Sequence, residues 1–177
     1  MIMSVNSVFS RKVKTRSIIS VAAVSLFCFS TAAMAVNVGP ACNLPGAGLT
    51  AAQWAQNQDN AGGHMTTCHV GKADAWLQQR TVANQPGCPQ TNTASTWTDA
   101  NVAWNSIGNT IQAFCAGAAN HTAAVNFTIA LGGNGTANVG RAYGNGAFYN
   151  IANDRHAFIR LVNNGGQWRV QTSYPRN

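Results

Sequence analysis

The sequence predicts an α+β fold, with N-terminal helices packed on a C-terminal antiparallel sheet. Three observations carry this. Apolar residues recur at helical spacing as far as Gly117. From Val125 onward they alternate with polar or small residues. Gly- and Asn-rich turns separate the later runs, and helices followed by strands argue for α+β over an alternating architecture.

The elements follow in chain order. Arg11, Lys12, Lys14 and Arg16 form a basic start, and Ile18 to Phe29 is apolar. That run is about a dozen residues long, the usual length in an export signal. It is shorter than the roughly 20 residues needed to span a bilayer. Ala33-Met34-Ala35 supplies small residues for a cleavage site, so residues 1–35 read as a signal peptide cut after Ala35. The mature chain is then exported, periplasmic or secreted, and carries no membrane segment. Residues 36–61 read as an extended, Pro- and Gly-rich lead-in followed by a short helix, Leu49–Asn57, capped by Thr50 or an adjacent polar group. Residues 62–177 read as the functional domain. Gly62-Gly63 ends the first helix. A second begins near His64, is interrupted at Gly71, and resumes over Ala73–Arg80. Asn84–Asn92 is loop by composition. Thr98–Gly117 is the clearest helix, with Thr98 or Asp99 as its cap. Strands are predicted over Val125–Leu131, Val139–Tyr143, Arg155–Val162 and Gln167–Tyr174. The turn Asn163-Asn164-Gly165-Gly166 marks the last hairpin.

Charge and cysteines narrow the class. The whole chain has a formal charge of +7, and four of its eleven Lys and Arg residues leave with the signal, so the mature part is +3. From Asn120 onward five Arg (141, 155, 160, 169, 176) face one acid, Asp154. A basic half suits an anionic partner such as RNA. Cys42, Cys68, Cys88 and Cys115 remain after export and are disulfide candidates. Four cysteines allow three pairings, and the sequence does not choose among them.

Candidate chemistry sits in two places. On the last strand, strict alternation puts Trp168, Val170, Thr172 and Tyr174 on one face and Arg169 and Ser173 on the other. Two hydroxyls then point the same way before Pro175. Near the helix break lies His69, in His69-Val70-Gly71-Lys72; an imidazole can take and give a proton near neutrality. His64, Cys68 and His69 also have helical metal-ligand spacing. No further cluster completes a set, so neither a metal nor a cofactor is expected.

These fragments are ordered. HVGK-x4-L-x2-R runs from His69 to Arg80. Ser95-Thr96-Trp97-Thr98-Asp99 precedes a helix, and Thr172-Ser173-Tyr174-Pro175 ends the last strand. In this the chain resembles the RNase A-like domain of contact-dependent-inhibition toxins, the CdiA C-terminal RNase family, over roughly Gly62 to Pro175. It differs in its own export signal, in its four cysteines, and in Ala73 and Trp97 where Ser and Phe are expected. The resemblance implies an RNase A-like fold and metal-independent endoribonuclease activity. It implies catalytic roles for His69, Arg80, Thr172 and Tyr174, with RNA as substrate. A cognate immunity protein is a further expected partner, and the domain is expected to be a monomer. Lys72 and His64 are candidate substrate-binding groups and spare proton donors.

In the expected reaction a base removes the 2′-hydroxyl proton and an acid protonates the departing 5′-oxygen. A 2′,3′-cyclic phosphate and a 5′-hydroxyl result. His69 suits the base. The guanidinium fork of Arg80 suits phosphate. The two are eleven residues apart. On one straight helix they would lie roughly 16 Å apart along the axis, so Gly71 is expected to break the helix and fold them together. A non-catalytic exported module binding RNA or another partner is the competing reading. It would tolerate loss of His69. A disulfide-stapled inhibitor or adhesin is a third, distinguished by the absence of RNA binding at low salt.

Overall fold

The computed structural model describes residues 38–46 and 48–177. The export segment 1–35 expected from sequence lies outside them. After a 3-10 turn at Pro40–Cys42 come helices α1 (Ala51–Asn60), α2 (Met65–His69) and α3 (Asp74–Val82). Strand β1 (Thr93–Trp97) precedes helix α4 (Ala100–Ala116) and a 3-10 turn at Ala118–Asn120. Strands β2 (Val125–Ala130), β3 (Asn138–Gly144), β4 (Ala147–Ala152), β5 (His156–Asn164) and β6 (Gln167–Arg176) complete the chain.

Local chemistry explains the helix starts. Thr50 and Gln53 form a reciprocal capping box at α1: Thr50 Oγ1 accepts from the Gln53 amide at 3.2 Å, and Gln53 Oε1 accepts from the Thr50 amide at 2.9 Å. Asp99 caps α4 by accepting from the Val102 amide at 2.8 Å. Among the described residues no helix is long and apolar enough to cross a membrane.

The α+β class holds, but the strands form two three-stranded antiparallel sheets, β1-β3-β4 and β2-β5-β6. Strands β1 and β4 escape the sequence reading. In β1 four of five residues are buried, so it lacks the half-exposed alternation of an outer strand.

The last strand corrects the expected side-chain pattern. A register shift pairs Leu161 with Val170 but Arg160 with Thr172, so Gln171 is an extra residue in β6. Such a bulge moves the following residues to the opposite face. The buried row therefore runs Trp168, Val170, Ser173, opposite Leu161 and Ile159. Thr172 and Tyr174 still share a face, but it is the one opposite Trp168 and Val170.

Trp54, Ile107, Ile111, Phe114, Ile159, Leu161 and Trp168 belong to one apolar core. Two disulfides settle the pairing: Cys42–Cys115 ties the first turn to the end of α4, and Cys68–Cys88 ties α2 to the loop before β1. Each typically adds 2–4 kcal/mol.

Gln58 is fully buried and serves three backbone groups. Its Nε2 donates to Pro40 O and Trp54 O, both at 3.0 Å, and its Oε1 accepts from Val170 N at 3.0 Å. Gln58→Leu keeps the bulk but strands the Val170 amide, while the Pro40 carbonyl keeps the Asn43 amide at 3.3 Å. We expect a loss of roughly 2 kcal/mol, read as a lowered urea midpoint with unchanged slope.

Two contacts bring the sheets together. The Trp97 indole donates to Ser173 O at 3.2 Å, fixing β1 to β6 between Thr172 and Tyr174. Gly140 on β3 lets Pro175 approach, since a Cβ there would sit 2.5 Å from the proline ring and 2.4 Å from Thr96 O.

Candidate active site

His69 ends α2, where the helix breaks. Gly71 adopts φ +64°, a left-handed conformation that glycine takes without strain. Val70 bridges to Trp97, the Gly71 amide donates to Trp97 O at 3.0 Å, and the Lys72 amide donates to Thr96 Oγ1 at 3.0 Å. The chain is thus laid along the end of β1 before α3 begins. Arg80, in the last turn of α3, returns to His69: its Nη1 lies 3.4 Å from His69 Nε2.

The imidazole is held from three sides. Its Nδ1 lies 2.9 Å from Ser95 O on β1. A carbonyl only accepts, so Nδ1 carries the proton and Nε2 keeps its lone pair. The ring stacks on Tyr174, with centroids 4.9 Å apart. Arg80 in turn donates from Nε to Pro89 O at 3.1 Å and from Nη1 to Cys68 O at 3.4 Å. Thr172, two residues before Tyr174, is buried, and its hydroxyl has no hydrogen-bond partner among the described residues.

The family model described as the bacterial CdiA-CT RNase A domain matches residues 63–175. The chain belongs to this family. A solved structure, the CdiA-CT/CdiI complex from Y. kristensenii, is similar at 18% identity and a TM-score of 0.46, covering 62% of this chain and 95% of that one. No curated protein matches.

In this CdiA-CT RNase A domain the two spare candidates also lie close. The His64 ring is 6.0 Å from that of His69. Arg169 Nη2 donates to Gln171 Oε1 at 3.2 Å, which turns the Gln171 amide nitrogen toward His64 Nδ1 at 3.3 Å. His64 Nδ1 therefore accepts, and its proton sits on Nε2. Lys72 Nζ lies 5.4 Å from the Trp76 ring and the Arg80 guanidinium 5.6 Å from it, both within cation–π range.

Electrostatics favour neutral imidazoles. Burial, then the Arg80 charge, push His69 down to about 3. Burial and Arg80 also lower His64. Unfolding frees the His69 imidazole to take a proton below about pH 6.5, whereas the folded protein takes it up only near pH 3. The unfolded state thus binds more protons in that window, so stability is full above about pH 6.5 and falls as pH drops toward 3. His64 adds in the same direction. We expect Tm to decline more steeply from pH 7 to 4 in the wild type than in His69→Gln, measured by circular dichroism.

Among the described residues no three His, Cys, Asp or Glu side chains stand close enough to share a metal ion. Cys68, once a possible ligand by spacing, is in a disulfide. Sequence reasoning missed the carbonyls of Ser95, Cys68 and Pro89, because backbone acceptors leave no residue-type signal. It also missed Trp76, although that residue stands four after Lys72 and four before Arg80, a spacing that could have found it.

Proposed function

We propose that this chain is an exported, metal-independent endoribonuclease that cleaves RNA by attack of its own 2′-hydroxyl. The observation that carries this is the fixed tautomer of His69: Nδ1 held by Ser95 O, and an unprotonated Nε2 that accepts from Arg80 Nη1 at 3.4 Å. Nε2 takes the 2′-hydroxyl proton as the O2′–P bond forms. Arg80 and the unpaired Thr172 hydroxyl donate to the phosphoryl oxygens as their charge grows. The P–O5′ bond breaks, and the departing oxygen takes a proton from the Tyr174 phenol, the group stacked on His69. His64 Nε2–H and Lys72 bind substrate. Burial is the larger cause of the lowered His69 pKa; a phosphate against Arg80 offsets the second cause, the Arg80 charge, so RNA binding strengthens the base when it is needed.

Residues 1–35 act as the signal peptide and 62–177 as the catalytic domain, preceded by the 36–61 lead-in. The two disulfides support export to an oxidising compartment. A toxin role follows the family, and brings a cognate immunity protein, to be sought in the neighbouring reading frame.

Incubation of the mature protein with RNA in EDTA tests this reading. Fragments ending in 2′,3′-cyclic phosphate and 5′-hydroxyl are expected. Activity abolished by chelation, or RNA bound but uncut, would overturn it; the second result would favour the non-catalytic module.

The Cys68–Cys88 bridge bears directly on catalysis. It joins the residue whose carbonyl holds Arg80 Nη1 to the residue before Pro89, whose carbonyl holds Arg80 Nε. A small misplacement of a catalytic group can cost about 100-fold. We expect Cys68→Ser/Cys88→Ser to lower kcat by roughly 10- to 100-fold at 25 °C. The Cys42→Ser/Cys115→Ser pair should instead lower Tm and leave kcat nearly unchanged.

A further inference from the structure

We propose that Arg169 and Gln171 of β6 are positioning residues for His64, holding its ring as a neutral donor that presents Nε2–H to a phosphoryl oxygen of the RNA. Both reach the substrate only through His64. This role rests on the ribonuclease reading for the identity of the substrate.

The relay runs in one direction. A guanidinium has donors and no acceptor. Arg169 Nη2 donates to Gln171 Oε1 at 3.2 Å, which fixes the Gln171 amide and leaves its Nε2 to donate to His64 Nδ1 at 3.3 Å. The proton of the neutral ring is then on Nε2. No hydrogen bond among the described residues takes that proton, so it is left for a ligand.

The backbone holds the same pair together. The His64 amide donates to Gln171 O at 2.9 Å. Gly63 permits this approach, because a Cβ there would sit 2.4 Å from Val170 O and 2.8 Å from Gln58 O. His64 stands at the N-cap of α2, yet its side chain makes no cap bond. Asp59 serves instead, accepting from the Thr66 amide at 3.1 Å and the Thr67 amide at 2.6 Å. The imidazole is thereby released from a capping role.

The bulge joins the relay to the candidate active site. In an unbroken strand Arg169 and Gln171 would lie on one face and Thr172 and Tyr174 on the other. Gln171 is the extra residue, so all four share the face opposite Trp168 and Val170. The His64 ring then lies 6.0 Å from that of His69, beside the base.

Nitrogen NMR of isotope-labelled histidines reads the tautomer with no RNA present. Wild-type His64 should be in the Nε2–H form. Gln171→Leu and Arg169→Met should each let the Nδ1–H form appear. Arg169→Lys can still donate to Gln171 Oε1 and should keep the wild-type form. Affinity for a single-stranded 2′-deoxy oligonucleotide, which lacks the nucleophile, reads binding without cleavage. Gln171→Leu and Arg169→Met should each weaken it roughly 3- to 10-fold, the size of one hydrogen bond. In a His64→Ala background neither should have a further effect.

Gln171→Glu reverses the demand, since a carboxylate only accepts and Nδ1 must take the proton. His64 is faced by Asp59 of α1, His69 of α2, Arg80 of α3 and Arg169 of β6. Burial and Arg80 lower its pKa and Asp59 raises it; the new carboxylate raises it further. The charged ring keeps Nε2–H, and the neutral ring now loses it. Oligonucleotide affinity of Gln171→Glu, relative to wild type, should therefore fall as pH rises through the His64 pKa. An unchanged tautomer in Gln171→Leu, or a changed tautomer with unchanged affinity, would overturn the relay. So would a further loss from Arg169→Met in the His64→Ala background, which would put Arg169 on the phosphate itself. If the relay holds and RNA is not cut, the ribonuclease reading alone falls.

Discussion

Replacing His69 with Ala is expected to lower kcat on RNA by at least about 100-fold, the low end of what a positioned general base contributes. The side chain is nearly fully buried and stacked, so truncation also removes packing. His69→Gln separates the two effects. Its amide can still donate to Ser95 O, but it offers no base at the position of Nε2. The catalytic account requires Gln to be as inactive as Ala while its circular dichroism and Tm stay closer to the wild type. A purely structural His69 would give Gln substantial activity.

Arg80→Lys is expected to cost about 100-fold or more in kcat, in the range of a lost donor to a developing oxyanion. Lysine keeps a charge but not the fork. Arg80 uses that fork to reach Pro89 O and Cys68 O while facing His69 Nε2, and an ammonium on a flexible stem cannot fill all three roles. Loss of the two carbonyl contacts adds a stability cost of about 1–3 kcal/mol. Single-turnover cleavage, under conditions where the variant is fully folded, separates the chemical loss from the folding loss. Wild-type chemistry in Arg80→Lys would remove Arg80 from the phosphate-binding role.

Why some of this was legible in sequence follows from the kind of signal each part leaves. The breaks around α2 were readable because Gly62-Gly63 and Gly71 punctuate a helical pattern. The meeting of His69 with Arg80 followed from their separation once Gly71 ended the helix. Cap-forming residues marked both helix starts without fixing the residue: of Thr98 and Asp99 it is Asp99 that caps α4, and of Thr50 and its polar neighbours it is Thr50 that caps α1. The β3–β4 hairpin carries a signal of its own: Asn145-Gly146 lies between the paired residues Gly144 and Ala147, with φ of +52° and +80°, as a two-residue hairpin turn requires. The bulge at Gln171 left no such mark. Its neighbours are ordinary strand residues, and the register is set by packing of Val170 and Ser173 opposite Leu161 and Ile159. The disulfide pairing was likewise fixed only by three-dimensional proximity. At the site, side chains were readable and their carbonyl partners were not.

The central claim is that an imidazole held by Ser95 O removes the proton of the neighbouring 2′-hydroxyl. A short RNA with one scissile nucleotide replaced by its 2′-deoxy analogue tests this most directly, because the substitution deletes the nucleophile and little else. Cleavage should stop at that position and continue at its ribose neighbours, in EDTA and with wild-type protein. Cutting at the deoxy position would show that water attacks the phosphorus, and the assignment of His69 as base to the ribose hydroxyl would be wrong.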